Sequence, residues 1–408
     1  MSKAHRLIKV AQKDWKFQVA SINGQWWVNK VGTYGMASAQ LYWGRMAALL
    51  LRVLNHLFDA IDWQFVYVDD FAWLLRKSVH QPLSCAILAT LAALGCPLAW
   101  HKTYVSSSNS WLGFSFDTVT PSLIMARSKH LLVIQGLRIL ASGEAMQADD
   151  IASLLGRIQW ATGCCPCTKA FLQPFWEWKQ AVQVSGRPSK LLRLVSLMLI
   201  ALFSQKHKYA SPFSKASSWN GASDGSAKDA CGSKAVGGWF CQGKPSSKQD
   251  VFWFYVPLNP ERHKWAFTKS KASSAIAAIE LFGNLCLLKG ILTKARSAEV
   301  LGLFLEFATD NQGNSFSLLN EKTRKWPASP VLMEIFLQAH AAGCYLSPRH
   351  SMREQNTWAD ELCNGDVDSF DPSKEWVVDE SNWILLDTLM EVASPSGGLG
   401  VLENTASP

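Results

Sequence analysis

The run FVYVDDFAWLL, residues 65–75, places two adjacent carboxylates, Asp69 and Asp70, in the middle of an apolar stretch. A carboxylate withdrawn from water is costly unless it is paired or bound to a cation, and two neighbours also repel each other, so a positive partner is expected there. QFVYV before the acids and FAWLL after them are rich in β-branched and aromatic residues and read as the arms of a β-hairpin with the acids at its tip.

Working outward, residues 37–58 carry Leu41, Ala48, Leu49 and Val53 at helical spacing, which predicts an amphipathic helix before the hairpin. A second helix is expected over 82–94 with Gly95 as its stop, leading into a short strand that ends near Lys102. WLGFSFD (111–117) and SLIMA (122–126) read as a further hairpin turning at Pro121. Residues 128–205 read as all-helical, with Asp149 or Asp150 capping IASLLGRIQWA and a second helix around AFLQPFWEWKQAV. Beyond 205 the pattern becomes three Gly/Ser-broken strands, a helix over 274–288 that stops near Gly290, a strand ending at Asp310, and a helix over 329–342. The expected class is α/β, divided into 1–127, a helical 128–205, a mixed α/β domain at 216–370 and a C-terminal extension at 371–408, whose last segment, 394–408, has a disordered composition.

With 408 residues, 48% hydrophobic and 18% charged, the chain is globular. A net charge of +8 permits a polyanionic partner without requiring one. The start has no signal-peptide core and the run 194–203 is too short to span a bilayer, so the expectation is an intracellular protein, nuclear or cytoplasmic, without a membrane partner. Ten cysteines without framework spacing fit reduced thiols. Cys164, Cys165 and Cys167 cluster in GCCPC, but no fourth ligand follows at finger-like spacing, which favours ordinary thiols near a helix end.

YVDD (67–70) resembles the metal-binding hairpin of reverse transcriptases. TYGMASAQ (33–40) resembles the floor of their nucleotide pocket, GCPLAWHKT (95–103) the segment presenting a lysine to the incoming triphosphate, and WLGFSF (111–116) the primer grip. The resemblance implies that Asp69 is the principal metal ligand and Asp70 its assistant, and that Tyr67, Gly35, Lys102 and His5 contact substrate, His5 standing where the family places the aromatic that excludes a ribose 2′-hydroxyl. It also implies in-line phosphoryl transfer between two Mg²⁺ ions held about 3.5–4 Å apart. A further family aspartate would fall immediately before Met1, and the fingers region would precede it, so the expectation is an N-terminally truncated polymerase with little or no activity, from a shortened gene or a decayed element. The stretch 153–178 looks like the thumb and connection helices of retroelements that use tyrosine recombinases, with Arg157, Lys169 and Lys179 as weak candidates for phosphate contact.

A second set of acids is Asp224 in ASDGSA, Glu280 in AAIELFGN, Asp310 in FATDNQGN and Asp360 in NTWADELC. An acid on the first strand, one on the next helix, one at the end of a following strand and one on a later helix resembles ribonuclease H. His350, six residues before Asn356, matches the loop histidine of retroelement ribonucleases H, although SMR replaces the usual Val-Pro-Gly. Asp229 competes with Asp224, which is favoured because it lies nearer the strand end. The resemblance implies that the four acids hold two Mg²⁺ ions, with Mn²⁺ as a substitute, and that His350 assists product release or proton transfer. The implied partners are an RNA template, a DNA primer, an RNA–DNA hybrid and deoxynucleoside triphosphates. The rival reading is a catalytically decayed remnant that only binds nucleic acid.

Overall fold

The computed structural model describes residues 4–33, 36–119, 122–205, 207–208, 219–228, 232–268, 275–295 and 304–393. The chain forms two compact units, Met1–Ser106 and Ser107–Pro408, and the architecture is mixed α/β.

In the first unit, strands β1 (Val19–Ile22) and β2 (Gln25–Val28) form a small exposed hairpin. Helix α1 (Ala37–Leu57) buries Ala39, Trp43, Ala47, Leu50 and Leu54, spaced three or four apart. This stripe is not the expected one. Leu41 and Leu49 face solvent, on the side of α1 that also carries Arg45 and Arg52, opposite the buried stripe. Strands β3 (Ile61–Tyr67) and β4 (Asp70–Leu75) pair antiparallel, with Tyr67 opposite Asp70 and Val66 opposite Phe71. Helix α2 (His80–Ala93) contributes Leu83, Ile87 and Leu91 to the core formed with Leu50, Leu54 and Ile61. The strand expected near Lys102 is instead a 3₁₀ turn, Trp100–Lys102, closed by the Lys102 amide donating to the Ala99 carbonyl (2.8 Å).

The second unit opens with β5 (Ser108–Trp111), β6 (Phe114–Asp117) and β7 (Ser122–Met125). The arm expected over 111–117 is itself folded back at Leu112–Gly113, both in the left-handed region (φ +52° and +84°); Pro121 lies outside the described residues. Helices α3 (Arg127–Ser142), α4 (Ala148–Ala161), α5 (Gln173–Ala181) and α6 (Lys190–Phe203) follow, with two-residue strands β8 (Met146–Gln147) and β9 (Ser185–Gly186) between them. Asp149 and Asp150 sit inside the first turn of α4, after the cap at Gln147, where carboxylates still complement the helix dipole. Strand β10 (His207–Lys208) adds to β7.

The remainder is built on a five-stranded sheet in the order β13-β12-β11-β14-β15. Its strands are β11 (Trp219–Ala227), β12 (Lys234–Gln242), β13 (Phe252–Pro257), β14 (Phe304–Thr309) and β15 (Tyr345–His350). β11, β14 and β15 run parallel, and β12 is antiparallel to both of its neighbours. After the short α7 (Lys264–Phe267), helix α8 (Ile276–Lys294) covers one face of β11 and β12 and runs through Gly290, where a stop was expected, because the rings of Phe240 and Trp376 pack there. Helix α8 is long and apolar enough to cross a membrane, but most of it is buried in this unit. Helices α9 (Gln312–Asn320), α10 (Ala328–Ala342), α11 (Thr357–Asn364) and α12 (Leu386–Val392) complete the unit; α10 packs on α8, and α11 covers β12 and β11. Residues 394–408, expected as a tail, lie outside the described residues.

Glu334, on α10, is fully buried and accepts hydrogen bonds from the Ile384 and Leu385 amides (2.7 and 2.8 Å) and from Gln338 (2.7 Å). These contacts fasten the segment leading into α12 to the sheet domain. Glu334→Leu removes the acceptor of these two part-buried amides and is expected to cost about 2 kcal/mol, read as a lower urea midpoint with unchanged slope.

Candidate nuclease site and the Asp69–Asp70 hairpin

Asp224 and Asp310 come together through strand register. Ala222 on β11 pairs with Ala308 on β14, so two residues further on Asp224 is level with Asp310, which directly follows β14. Two glycines let the helices deliver the other acids. A Cβ at Gly225 would lie 2.9 Å from Ile279 and 3.0 Å from the Glu280 amide, so only glycine lets α8 bring Glu280 against β11. On β12, Gly237 pairs with Asp224, and a Cβ there would lie 2.3 Å from the Cys363 amide nitrogen. That gap lets α11 settle on the sheet with Asp360 one turn before Cys363.

One carboxylate oxygen each from Asp224, Glu280 and Asp310 lies within 4.8 Å of the others, and Asp224 also forms such a group with Asp360 and Cys363. Asp224 is only 6% exposed. Burial first, and then the charges of Asp310 and Asp360, push its pKa up to about 7. Burial likewise raises Glu280 to about 7, against a hydrogen bond from Asn311, with Asp224 and Asp310 adding repulsion. The Arg353 guanidinium opposes both shifts, and among the described residues none of the four acids forms an ion pair. Clustered hard oxygen donors without a paired cation fit a divalent ion such as Mg²⁺.

Sequence reasoning assigned no role to the residues that orient this cluster. Asn311 caps α9 by accepting from the Asn314 amide (3.0 Å) and donates its side-chain amide to Glu280 Oε2 (2.6 Å). Asn314 donates to the same oxygen (3.2 Å) and to the Ala277 carbonyl (2.8 Å), which leaves Oε1 of Glu280 the oxygen not engaged by either amide. Only the cap spacing of the two asparagines was visible in the sequence. His350, at the end of β15, is exposed and its Nε2 lies 3.1 Å from the Asp310 carbonyl, which makes Nε2 the protonated nitrogen. Arg353 had no charge-pattern signal. Asp229 lies outside the described residues.

In the first unit, Val68 and Asp69 form the two-residue tip between β3 and β4. Neither acid is buried, contrary to the expectation from their apolar flanks: Asp69, in the turn, is half-buried, and Asp70, which opens β4 opposite Tyr67, is exposed. Val68 takes a left-handed φ of +53°, a conformation strained for a β-branched residue, and Trp43 of α1 holds it by donating its indole N–H to the Val68 carbonyl (2.5 Å). Among the described residues no third carboxylate, histidine or cysteine joins Asp69 and Asp70 in a metal-holding group. Tyr67 and Lys102 are exposed, Gly35 lies outside the described residues, and His5 falls in a 3₁₀ turn, Ala4–Leu7. Of the weak phosphate candidates in the second unit, Arg157 is exposed, Lys169 pairs with Glu321 (3.2 Å), and Lys179 lies over the Trp176 ring.

The chain is similar to the foamy viral protease-reverse transcriptase solved in complex with an RNA/DNA hybrid, at 9% identity and a TM-score of 0.43, over 86% of this chain and 43% of that one. It is also similar to the same viral protein with double-stranded DNA, at 11% identity and a TM-score of 0.38, over 85% and 65%. Ribonuclease H1 from the halophilic archaeon Halobacterium salinarum NRC-1 matches at 16% identity and a TM-score of 0.26, over 37% of this chain and 98% of that one. This chain spans less than two thirds of the foamy viral chains. No protein-family model matches the sequence, and neither does any curated protein.

Because Asp224 and Glu280 hold their protons to about 7 in the folded chain but release them near 4 when unfolded, the folded state binds more protons in that window. Without divalent ions, the melting temperature should therefore fall as pH rises from 4.5 to 7.5, by several degrees, on the order of a few kcal/mol. Asp224→Asn should flatten that slope and raise the midpoint at pH 7.5, which differential scanning calorimetry reads directly.

Proposed function

We propose that the second unit is a divalent-metal-dependent nuclease that hydrolyses the RNA strand of an RNA–DNA hybrid, and that the chain is a reverse transcriptase–ribonuclease H segment of a retroelement. The observation that carries this reading is the meeting of Asp224, Glu280 and Asp310, with Asp360 beside Asp224, toward the C-terminal ends of the neighbouring parallel strands β11 and β14, with α8 and α11 supplying the other two acids.

The four acids would hold Mg²⁺, or Mn²⁺ in its place, which when bound activates water and stabilises the leaving 3′ oxygen. Asn311 and Asn314 fix Glu280 Oε2 and thereby aim its other oxygen. His350 stands at the rim with a protonated Nε2, in position to exchange that proton with the product or to ease its departure. Arg353 offers the scissile phosphate a cation whose field already reaches both buried acids.

In the first unit, Asp69 and Asp70 would belong to a polymerase palm hairpin, with Tyr67, Gly35, His5 and Lys102 as the candidate contacts for primer, template and deoxynucleoside triphosphate. Two carboxylates are a sparse donor set for two ions, so this chain is expected to add few or no nucleotides.

Asp310→Asn should lower Mg²⁺-dependent hybrid cleavage at least about 100-fold with the circular dichroism spectrum unchanged. Cleavage that survives this substitution removes Asp310 from the site. A wild-type chain that binds hybrid in a salt-sensitive way but yields no Mg²⁺-dependent product is a binding remnant and not a nuclease.

A further inference from the structure

GCCPC reads as a run of ordinary thiols as long as only its sequence neighbours are considered. In the fold, the 3₁₀ turn Pro166–Phe171 packs against α10, and a histidine 175 residues downstream arrives beside the cysteines. Cys165 Sγ lies 3.4 Å from Cys167 Sγ and 3.9 Å from His340 Nε2, and the three ligand atoms are all within 4.8 Å of one another. Cys165 is fully buried, Cys167 is 7% exposed and His340 is half-buried.

Tetrahedral zinc with Zn–S near 2.3 Å and Zn–N near 2.0–2.1 Å requires sulfur–sulfur and sulfur–nitrogen separations of about 3.8 and 3.6 Å. The Cys165–Cys167 and Cys165–His340 distances fall within a few tenths of an ångström of those values, and Cys167 Sγ and His340 Nε2 lie within 4.8 Å of each other. The donor chemistry selects the same ion: two thiols and an imidazole favour Zn²⁺ over the Mg²⁺ that suits the carboxylate edge. Neighbouring Cys164 points elsewhere, its thiol donating to the Ala161 carbonyl (3.0 Å), and Cys344 donates to the Ala339 carbonyl (3.4 Å).

We propose that Cys165, Cys167 and His340 form a zinc site that ties the turn after α4 to the last turn of α10. Zinc entry releases the two thiol protons, and the bound ion with two thiolates and a neutral imidazole is uncharged overall, which suits a buried position. Among the described residues no fourth protein ligand joins the group, which leaves the fourth position to water or another ligand. The site is independent of the nuclease assignment, since none of its ligands is shared with the acids.

The test is Co²⁺ titration of the reduced, metal-stripped full chain, followed by Zn²⁺ displacement. One Co²⁺ per chain should give the near-ultraviolet thiolate charge-transfer band and the intense visible bands of tetrahedral cobalt, signals that carboxylate-bound cobalt does not give. Zn²⁺ should abolish both. Cys165→Ser and His340→Ala should each weaken the cobalt affinity by roughly 100-fold or remove the band, while Cys164→Ser and Cys344→Ser leave it intact. No thiolate band in the folded wild-type chain overturns the proposal without reference to any variant. A band that persists in Cys165→Ser, or vanishes in Cys164→Ser while His340→Ala keeps it, overturns the ligand assignment.

Discussion

Mutual repulsion among carboxylates is the constraint on which the second unit depends. Asp224, Glu280 and Asp310 are held close enough for their oxygens to share one ion, with Asp360 adding its field, and no arginine or lysine ion-pairs with any of them among the described residues. Such a cluster is unfavourable by itself. Elsewhere in the unit the sheet and helices are packed on aliphatic and aromatic side chains, and a buried carboxylate such as Glu334 is satisfied by amide donors. The acid cluster therefore stores electrostatic cost that a bound divalent cation would relieve.

Backbone shape sets how close the acids can come. Gly225 admits α8 and Gly237 admits α11, each by lacking a Cβ that would meet a neighbouring backbone at 3.0 Å or less. The parallel pairing of β11 with β14 sets Asp310 level with Asp224. Asp224, Glu280 and Asp360 are thus carried on a strand and two helices, with Asp310 directly after β14, and the side chains that tune them come from the cap and first turn of α9 (Asn311, Asn314), the last residue of β15 (His350) and the 3₁₀ turn Arg353–Gln355 (Arg353).

Much of the order of elements was legible in the sequence. The hairpin around Asp69–Asp70, the three Gly/Ser-rich strands after residue 216 and the helix ending at Gly343 are where composition and turn chemistry place them. Less legible were features that depend on distant partners. On α1 the expected stripe took in Leu41 and Leu49, which flank Arg45 and Arg52 and face solvent, and α8 runs past Gly290, where the rings of Phe240 and Trp376 pack close. The flanks of Asp69 and Asp70 suggested burial, whereas Asp69 is half-buried in the turn and Asp70, at the start of β4, is exposed. His340 beside Cys165 had no sequence signal at all, since 175 residues separate them.

An ion held between Asp224, Glu280, Asp310 and Asp360 would be located by anomalous diffraction from crystals grown with Mn²⁺. The expected result is an anomalous peak bonded to carboxylate oxygens of Asp224, Glu280 and Asp310, with Asp360 at its edge. Crystals that bind manganese elsewhere, with these four side chains turned away from one another, would contradict it.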